Sequence, residues 1–288
     1  MIYAHDAGRM CNNILQFGHV YAWAQENGRK CVSLRFAYKY HHFHICHTRG
    51  HTVWTYLAVK LLWRLGLIRV VRFYETRPDH DEKERQMKSR RDVVVTGWHI
   101  RYYDLFIKHL PTIRALFAFS PQVDKECEPI IPGGDGDGTI WLGVHVRRSD
   151  YRTFQGGAFY YDDEVYIGLI GQFALLHPGK KINALIASNE HIDIDHWRER
   201  LPETRIAYYP RLGTIHDLCL LSRCHFLIGA PSTFSLVASM YRDIPLYWIY
   251  ERGKTLGMTD FKRFEELFRT LPGEDARRPD EKAPPVSH

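Results

Sequence analysis

The sequence lacks the features that mark several broad classes of protein. Its longest apolar stretch, residues 53–71, is interrupted by Lys60, Arg64 and Arg69, whereas a bilayer-spanning helix needs about 20 mostly apolar residues. No block of Lys and Arg alternates with aromatic residues, so no nucleic-acid partner is expected. The N-terminus has no basic region followed by an apolar run, so we expect no signal peptide and predict a cytoplasmic location.

Neither the cysteines nor the net charge indicates a specialised class. The cysteines include no Cys-x-x-Cys pair, and in a chain of 288 residues their even number does not imply disulfides. We therefore expect reduced thiols. The 39 Lys and Arg residues exceed the 33 Asp and Glu residues by only 6. This small excess suits a phosphate-bearing small molecule or an anionic membrane surface.

The chain is long enough for about two domains. The segment PIIPGGDGDG at residues 129–138 is rich in Pro and Gly, which predicts a linker. We predict an N-terminal α/β domain at 1–132, a C-terminal Rossmann-like domain at 139–271, and a disordered tail at 272–288. Buried-strand and helical patterns alternate over residues 139–250, which indicates a parallel α/β sheet.

The apolar stretch near residue 60 predicts an amphipathic helix over residues 54–65. Its Trp and Leu residues suit packing on a protein core, which is the arrangement we expect. The same residues, with Lys60, also suit a helix that lies on a membrane surface. The sequence therefore leaves open a peripheral contact with the inner face of a membrane.

The strongest chemical signal is His-Val-Arg-Arg-Ser-Asp-Tyr, residues 145–151. It follows a predicted buried strand, and ligands of open α/β sheets bind at the carboxyl ends of the strands. Arg147 and Arg148 offer planar, permanently charged groups that match phosphate oxygens. Such a guanidinium can stabilise a diphosphate leaving group without a metal. Asp150 is a candidate catalytic carboxylate, or it holds Arg147 in a structural salt bridge.

Two further motifs contain polar groups near predicted helix starts. In the first, Asp217 on a helix precedes a buried strand that opens into Pro-Ser-Thr-Phe-Ser at 231–235. Hydroxyl and N–H groups there could bind an anion, or Ser232 or Thr233 could simply cap the helix. In the second, Gly-Arg-Met-Cys-Asn-Asn-Ile-Leu-Gln at 8–16 puts amides at a helix start, where Asn12 could face a ligand or act as the cap.

Metal-binding alternatives are weaker. Asp135-Gly-Asp137 spells an Asp-x-Asp motif, but Pro and Gly precede it instead of a strand, and Asp193-Ile-Asp195 has the same weakness. The histidine-rich segment at 41–51 has no spacing that matches a closed tetrahedral zinc site. We expect no metal.

The three motifs resemble those of the α-1,2-fucosyltransferases of glycosyltransferase family 11. Residues 145–151 resemble the family's His-x-Arg-Arg-x-Asp-Tyr, residues 8–16 its N-terminal Gly-Gly-x-Gly-Asn-Gln-x-x-Gln, and residues 232–235 its Ser-Ser/Thr-Phe-Ser. The motifs occur in the family's order over residues 8 to about 250. The middle motif is similar to that of a broader group, which includes α-1,6- and protein O-fucosyltransferases. Arg9, Cys11 and Asn13 depart from the first motif, and Leu236 and Val237 replace the tryptophans that usually follow the third.

The resemblance implies a GT-B fold, in which two Rossmann-like domains face a cleft. It implies inverting, metal-independent and cofactor-free transfer of fucose from GDP-fucose to a glycan or lipid-linked oligosaccharide, with an α-1,2 linkage to galactose. The implied catalytic residues are Arg147 and Asp150. The implied donor contacts are His145, Arg147, Arg148, Asp217, Ser232, Thr233 and Phe234. The residues implied on the acceptor or cleft side are Gly8, Asn12, Asn13 and Gln16. The alternatives are another GDP-sugar as donor, or a non-catalytic module that binds nucleotides or glycans.

Overall fold

A computed structural model describes residues 1–5, 8–75, 78–132 and 138–271. Within these ranges the strands are β1 (Ile2–His5), β2 (Cys31–Ser33), β3 (Arg69–Arg72), β4 (Val93–Thr96), β5 (Ile140–Val146), β6 (Ile182–Ser188), β7 (Arg205–Tyr208), β8 (Phe226–Gly229) and β9 (Leu246–Trp248). The helices are α1 (Met10–Glu26), α2 (Val53–Arg64), α3 (His80–Lys88), α4 (Tyr103–Lys108), α5 (Leu110–Leu116), α6 (Pro121–Cys127), α7 (Asp163–Leu175), α8 (Ile194–Arg200), α9 (Thr214–Leu221), α10 (Thr233–Arg242) and α11 (Phe264–Phe268).

The strands form two parallel sheets. The first has the order β2-β1-β4-β3, and the second has the order β7-β6-β5-β8-β9. In the order of the chain, the strands of the second sheet are arranged 3-2-1-4-5, as in a Rossmann-like domain. In that arrangement the strand order reverses between the first strand and the fourth. Here that reversal lies between β5 and β8. The α/β class and the Rossmann-like sheet expected from the sequence are confirmed.

Most predicted elements occur where the sequence indicates them, with changed bounds. Residues 30–36 alternate in the sequence like a strand, but β2 ends at Ser33. The Ser33 hydroxyl accepts a hydrogen bond of 3.2 Å from the Phe36 backbone N–H, which turns the chain away from the sheet. The charged and polar segment at 75–92, whose composition suits a loop or a solvated helix, contains α3. Asp79 caps α3 by accepting from the Glu82 N–H at 3.0 Å.

Helix α2 packs on the core through one face only. Val59 is the buried residue of this helix, and it packs in a small cluster with Leu34, Ile68 and Val94. The opposite face is exposed, with Trp54 at 76% of its accessible surface and Leu61 at 58%. The expectation of core packing is met by the inner face, and the outer face stays exposed because α2 carries apolar residues on both faces and only one meets the sheet. Within the described ranges no helix is long and apolar enough to cross a membrane.

A single apolar cluster joins the two halves of the chain. It contains Ile14 and Phe17 of α1 together with Leu236 and Val237 of α10. Helix α11 also reaches the first half, since the Phe268 ring lies 4.5 Å from that of Phe106. Residues 133–137 of the predicted linker lie outside the described residues, as does the whole of the predicted disordered tail. The division at 132 and 139 therefore stays a prediction.

A glycine in α1 allows the close packing of the first half. A Cβ atom at Gly18 would lie 2.1 Å from the ring of Phe106, which is fully buried. We predict that Gly18→Ala lowers the free energy of unfolding by about 1–3 kcal/mol through overpacking. Gly168, in α7, has nothing within 4 Å of the same position. Gly168→Ala should therefore stabilise the protein, by about 0.5–1 kcal/mol. Urea denaturation measures both, and equal effects would contradict the assigned contact.

Candidate functional site

A cavity of about 980 Å³ lies where the carboxyl ends of the strands of the two sheets meet. Helices α1, α9 and α10 all begin at this cavity, since their first residues, including Met10, Thr214 and Thr233, line it. The backbone N–H groups of a helix's first turn have no partners within the helix, and the helix dipole places partial positive charge there. The cavity is therefore suited to a ligand that carries negative charge.

Arg147 extends from the end of β5 into the cavity. Its Nε and Nη2 atoms donate to the two carboxylate oxygens of Asp150, at 3.0 and 2.7 Å. The guanidinium also lies over the Tyr151 ring at 5.3 Å, and Tyr151 is held by a 2.5 Å hydrogen bond from its hydroxyl to the Pro231 carbonyl. These contacts orient the guanidinium. Burial raises the pKa of Asp150, but bonding to Arg147 outweighs it and the net pKa is lowered.

Arg148 does not reach the cavity. It is buried, and its side chain donates to the Tyr161 carbonyl at 2.9 Å and to the Asp163 carboxylate. Its backbone N–H donates to Asn189 Oδ1 at 2.9 Å. Adjacent residues at a strand end point to opposite faces, so the two arginines are separated. This placement does not support the predicted donor contact of Arg148 and gives it a structural ion pair instead.

His145 and Phe234 form the apolar side of the cavity. Their ring centroids are 4.9 Å apart, and both residues are buried. Burial, followed by the charge of Arg147, lowers the pKa of His145 to about 3. The imidazole is therefore neutral at physiological pH, and among the described residues its Nδ1 atom has no hydrogen-bond partner. A neutral ring with one unused nitrogen can bind a ligand without adding charge.

Ser232 caps helix α10, as the structural alternative for this motif predicted. Its hydroxyl accepts from the Phe234 N–H at 3.1 Å. The next hydroxyl, on Thr233, donates to Asn12 Oδ1 at 2.5 Å. The first and third sequence motifs thus meet directly across the cavity, although they are more than 200 residues apart in the chain. The cap therefore uses the N–H group of Phe234, while Thr233 and Phe234 both line the cavity.

The N-terminal motif divides between the cavity and the core. Arg9 and Asn12 line the cavity, and Arg9 Nη2 lies 3.6 Å from Asp150 Oδ2. Asn13 and Gln16 are buried behind them, and Gln16 Nε2 donates to the Asn12 carbonyl at 3.1 Å. Gly8 is exposed and has a φ of +89°, which makes the turn before α1. The structure does not bring these last three residues to the cavity wall, because the side chains of successive helix positions face different directions.

Asp217 lines the cavity from the first turn of α9. Burial raises its pKa to about 7. Among the described residues its carboxylate has no hydrogen-bond or ion-pair partner. Arg223, six residues further along the chain, instead binds Asp124 at 3.0 Å and also Glu128. A half-buried carboxylate without a partner is costly, and this one is placed to accept hydrogen bonds from a ligand.

The metal alternatives gain no support in the described part of the chain, where no group of three or more potential ligands is close enough to hold a metal. In the histidine-rich segment, His51 Nε2 accepts from the Ser33 N–H at 3.0 Å, and Cys46 Sγ lies 3.2 Å from the Tyr40 carbonyl. Asp193 caps α8, and Asp195 pairs with Arg198. Asp135 and Asp137 lie outside the described residues.

Sequence reasoning missed several residues that line the cavity. They lie at or just after strand ends, or in and next to the histidine-rich segment, and they are Tyr40, His42, Trp98, His99, Ser188 and Asn189. A signal for some of them existed. Trp98 follows the β-branched run that becomes β4, and Asn189 follows the buried run that becomes β6. Because parallel strands place their carboxyl ends at one edge, both positions could have been proposed.

Known structures with the same fold were found, whereas no protein-family model and no curated protein sequence matches the chain. A mutant of FUT1 from Arabidopsis thaliana in complex with GDP has a TM-score of 0.59 and 13% identity, over 91% of this chain and 73% of that one. POFUT1 in complex with GDP-fucose has a TM-score of 0.57 and 13% identity, over 84% and 93%. The fucosyltransferase NodZ from Bradyrhizobium has a TM-score of 0.56 and 14% identity, over 88% and 96%. At these identities the likeness shows the fold, which is the expected GT-B type.

The unpartnered carboxylate predicts a specific dependence of stability on pH. The pKa of Asp217 is raised, so burial of this side chain destabilises the fold only when the carboxyl is ionised. The loss in the free energy of unfolding therefore grows as pH rises from about 4 to about 7. We predict that Asp217→Asn increases the free energy of unfolding, and that the increase is larger at pH 8 than at pH 5 by about 2–3 kcal/mol. Urea denaturation at both values measures this. The exposed Asp195 provides the control, since Asp195→Asn should change stability by less than about 0.5 kcal/mol at either pH. A gain from Asp217→Asn that does not depend on pH would contradict the assignment.

Proposed function

We propose that the protein is a glycosyltransferase that transfers fucose from GDP-fucose to a glycan acceptor, with inversion and without a divalent metal. The observation that carries this proposal is the meeting of three helix N-termini with Arg147 and Arg9 in one cavity. Backbone N–H groups and guanidinium groups together bind a diphosphate. The similar structures of fucosyltransferases that contain GDP or GDP-fucose support the same donor.

Arg147 is the proposed electrostatic catalyst. As the bond between the sugar and the diphosphate breaks, negative charge grows on the leaving phosphate. A guanidinium that is already oriented stabilises this charge without reorganising, which is the role that a metal has in other transferases. Asp150 accepts hydrogen bonds from two of the guanidinium nitrogens, Nε and Nη2. Its proposed contribution to catalysis is to hold Arg147, together with the nearby charge of Arg9.

The proposed nucleotide contacts lie on either side of this charged centre. Asp217 accepts hydrogen bonds from the N1–H and the 2-amino group of guanine, and uracil and adenine do not offer that pair of donors. The neutral His145 and Phe234 contact the nucleotide, while Thr233 and the first turn of α10 bind the phosphates or the sugar. The site then distinguishes nucleotides by the unpaired carboxylate that a wrong base leaves behind.

The acceptor is proposed from the family resemblance. An α-1,2 linkage to galactose follows from that resemblance, whereas NodZ, among the similar structures, is an α-1,6-fucosyltransferase. The proposed acceptor is a glycan or a lipid-linked oligosaccharide, bound on the side of the cavity formed by Tyr40, Trp98 and His99. No cofactor is proposed. The cytoplasmic location and a peripheral membrane contact stay predictions of the sequence.

Turnover should depend on Arg147 and not on a metal. We predict that Arg147→Ala reduces kcat with GDP-fucose by about 10²–10³-fold, because the leaving-group charge loses its oriented guanidinium. Turnover of GDP-fucose by the unaltered protein should persist in EDTA. Turnover with GDP-fucose should also exceed turnover with GDP-mannose or UDP-sugars. Product formation with a panel of donors and galactose-containing acceptors measures all three. Loss of activity in EDTA, restored by Mn²⁺, would contradict the metal-free chemistry.

The neighbouring arginine supplies the control. Arg148 is buried against Asp163, so Arg148→Ala should lower the free energy of unfolding by about 3–5 kcal/mol, because it leaves a buried charge unpaired. Arg147→Ala should change it far less. The two variants thus separate loss of chemistry from loss of fold. A folded Arg147→Ala variant with near-normal kcat would refute the assignment of the catalytic group.

Nucleotide selectivity should depend on Asp217. We predict that GDP binds more tightly than UDP or ADP, and that Asp217→Ala weakens GDP binding and reduces the preference. Since the carboxylate accepts hydrogen bonds best when ionised and its pKa is raised to about 7, GDP affinity should rise more between pH 6 and pH 8 in the unaltered protein than in Asp217→Ala, where the terminal phosphate of GDP still titrates near pH 6. Calorimetric titration measures these affinities. A GDP-to-UDP ratio unchanged by the substitution would show that Asp217 does not contact the base.

A further inference from the structure

The outer face of α2 is an exposed apolar stripe. Of the twelve large hydrophobic side chains that are exposed in the described residues, seven lie between residues 53 and 67. Trp54, Leu57, Leu61 and Leu65 recur at intervals of three and four residues, so they share one helix face. The other face of α2 is already covered, because Val59 packs over Leu34 and Val94 of the first sheet. The stripe is therefore a continuous surface and not a set of scattered side chains.

The stripe lies in a part of the chain that carries positive charge only. Residues 27–74 contain no Asp or Glu. Their basic residues are Arg29, Lys30, Arg35, Lys39, Arg49, Lys60, Arg64, Arg69 and Arg72. Arg64, Arg69 and Arg72 are exposed, and their side chains have no hydrogen-bond or ion-pair partner in the described part of the chain. Lys60 and Arg64 flank the stripe on the helix surface.

We propose that α2 docks the protein on an anionic lipid bilayer, with the stripe inserted among the acyl chains near the headgroups and the basic residues on the lipid phosphates. An apolar face beside unpaired cations is the pattern of helices that lie in the membrane interface. The helix has 12 residues and is therefore about 18 Å long, shorter than the bilayer core of about 30 Å. It lies along the surface. This proposal does not depend on the proposed transferase activity.

Charge also decides between a bilayer and a second copy of the chain. Two copies that met through α2 would bring two wholly basic segments together, which opposes association. An anionic bilayer attracts the same segments, with about 1 kcal/mol for each Lys or Arg near its surface, or about fivefold in affinity. A cavity of about 370 Å³ beside the helix is lined by Lys60 and Arg64 together with His5, Leu34, Tyr56 and Trp63, and its two cations are placed to bind a headgroup phosphate.

Vesicle co-sedimentation of the full chain tests the proposal. The protein should sediment with vesicles of equimolar phosphatidylcholine and phosphatidylglycerol, and much less with vesicles of phosphatidylcholine alone. The paired substitution Leu57→Ser and Leu61→Ser should weaken partitioning by about tenfold or more, because two apolar side chains no longer leave water. Arg64→Gln should weaken it by about fivefold, and high salt should weaken binding of the unaltered protein.

Matched controls come from the second half of the chain. Leu175 is 82% exposed and Lys180 is also exposed, and both lie far from α2 in the chain. Leu175→Ser and Lys180→Gln should leave partitioning unchanged. Circular dichroism and the melting temperature should show that all variants fold, since the substituted side chains are exposed.

Three outcomes would overturn the proposal. The first is equal binding to neutral and anionic vesicles, or to neither. The second is unchanged partitioning of the Leu57→Ser and Leu61→Ser variant. The third is a dimer in sedimentation equilibrium without lipid that this variant dissociates, which would assign the stripe to a second copy of the chain.

Discussion

The packing of α1 against α10 sets the geometry of the cavity. Each helix follows a strand of a different sheet, and their apolar faces share one core through Phe17 and Val237. That contact brings the two helix starts together, where Thr233 donates to Asn12 at 2.5 Å. Because α11 also packs its Phe268 against Phe106 of the first half, the two sheets are joined at a second place. The positive helix ends are thus held at the cavity by contacts that are themselves apolar.

The pair of adjacent arginines shows how one short motif can serve both structure and chemistry. Arg148 faces inward and uses its charge on Asp163, which ties the end of β5 to α7. Arg147 faces the cavity, where Asp150 and the Tyr151 ring orient it. The buried pair keeps the strand end rigid, and a rigid strand end is what an electrostatic catalyst requires. The motif is informative in sequence because both arginines have a physical reason to be there.

The second half of the chain is predictable because its strands are buried on both faces. Continuous apolar runs such as IWLGVHV and INALIAS indicate β5 and β6 directly. The first half of the chain is less predictable. Strand β2 is shortened by a side-chain hydrogen bond of Ser33, and α2 carries apolar residues on two faces. Periodicity finds such a helix but cannot say which face meets the sheet. The roles of Arg9 and Trp98 depend on contacts across the cavity, which no local pattern contains.

Electrostatic asymmetry within the cavity relates the fold to its proposed ligand. Arg147 and Arg9 lie beside the starts of α1 and α10, while Asp217 lies in the first turn of α9 and has no partner in the described part of the chain. The dipole of α9 favours a carboxylate at that position, yet burial dominates and its pKa rises to about 7. A ligand with a diphosphate at one end and adjacent N–H donors at the other compensates both charges at once. A guanosine diphosphate meets that requirement, and a nucleotide without paired donors leaves the carboxylate as costly as before.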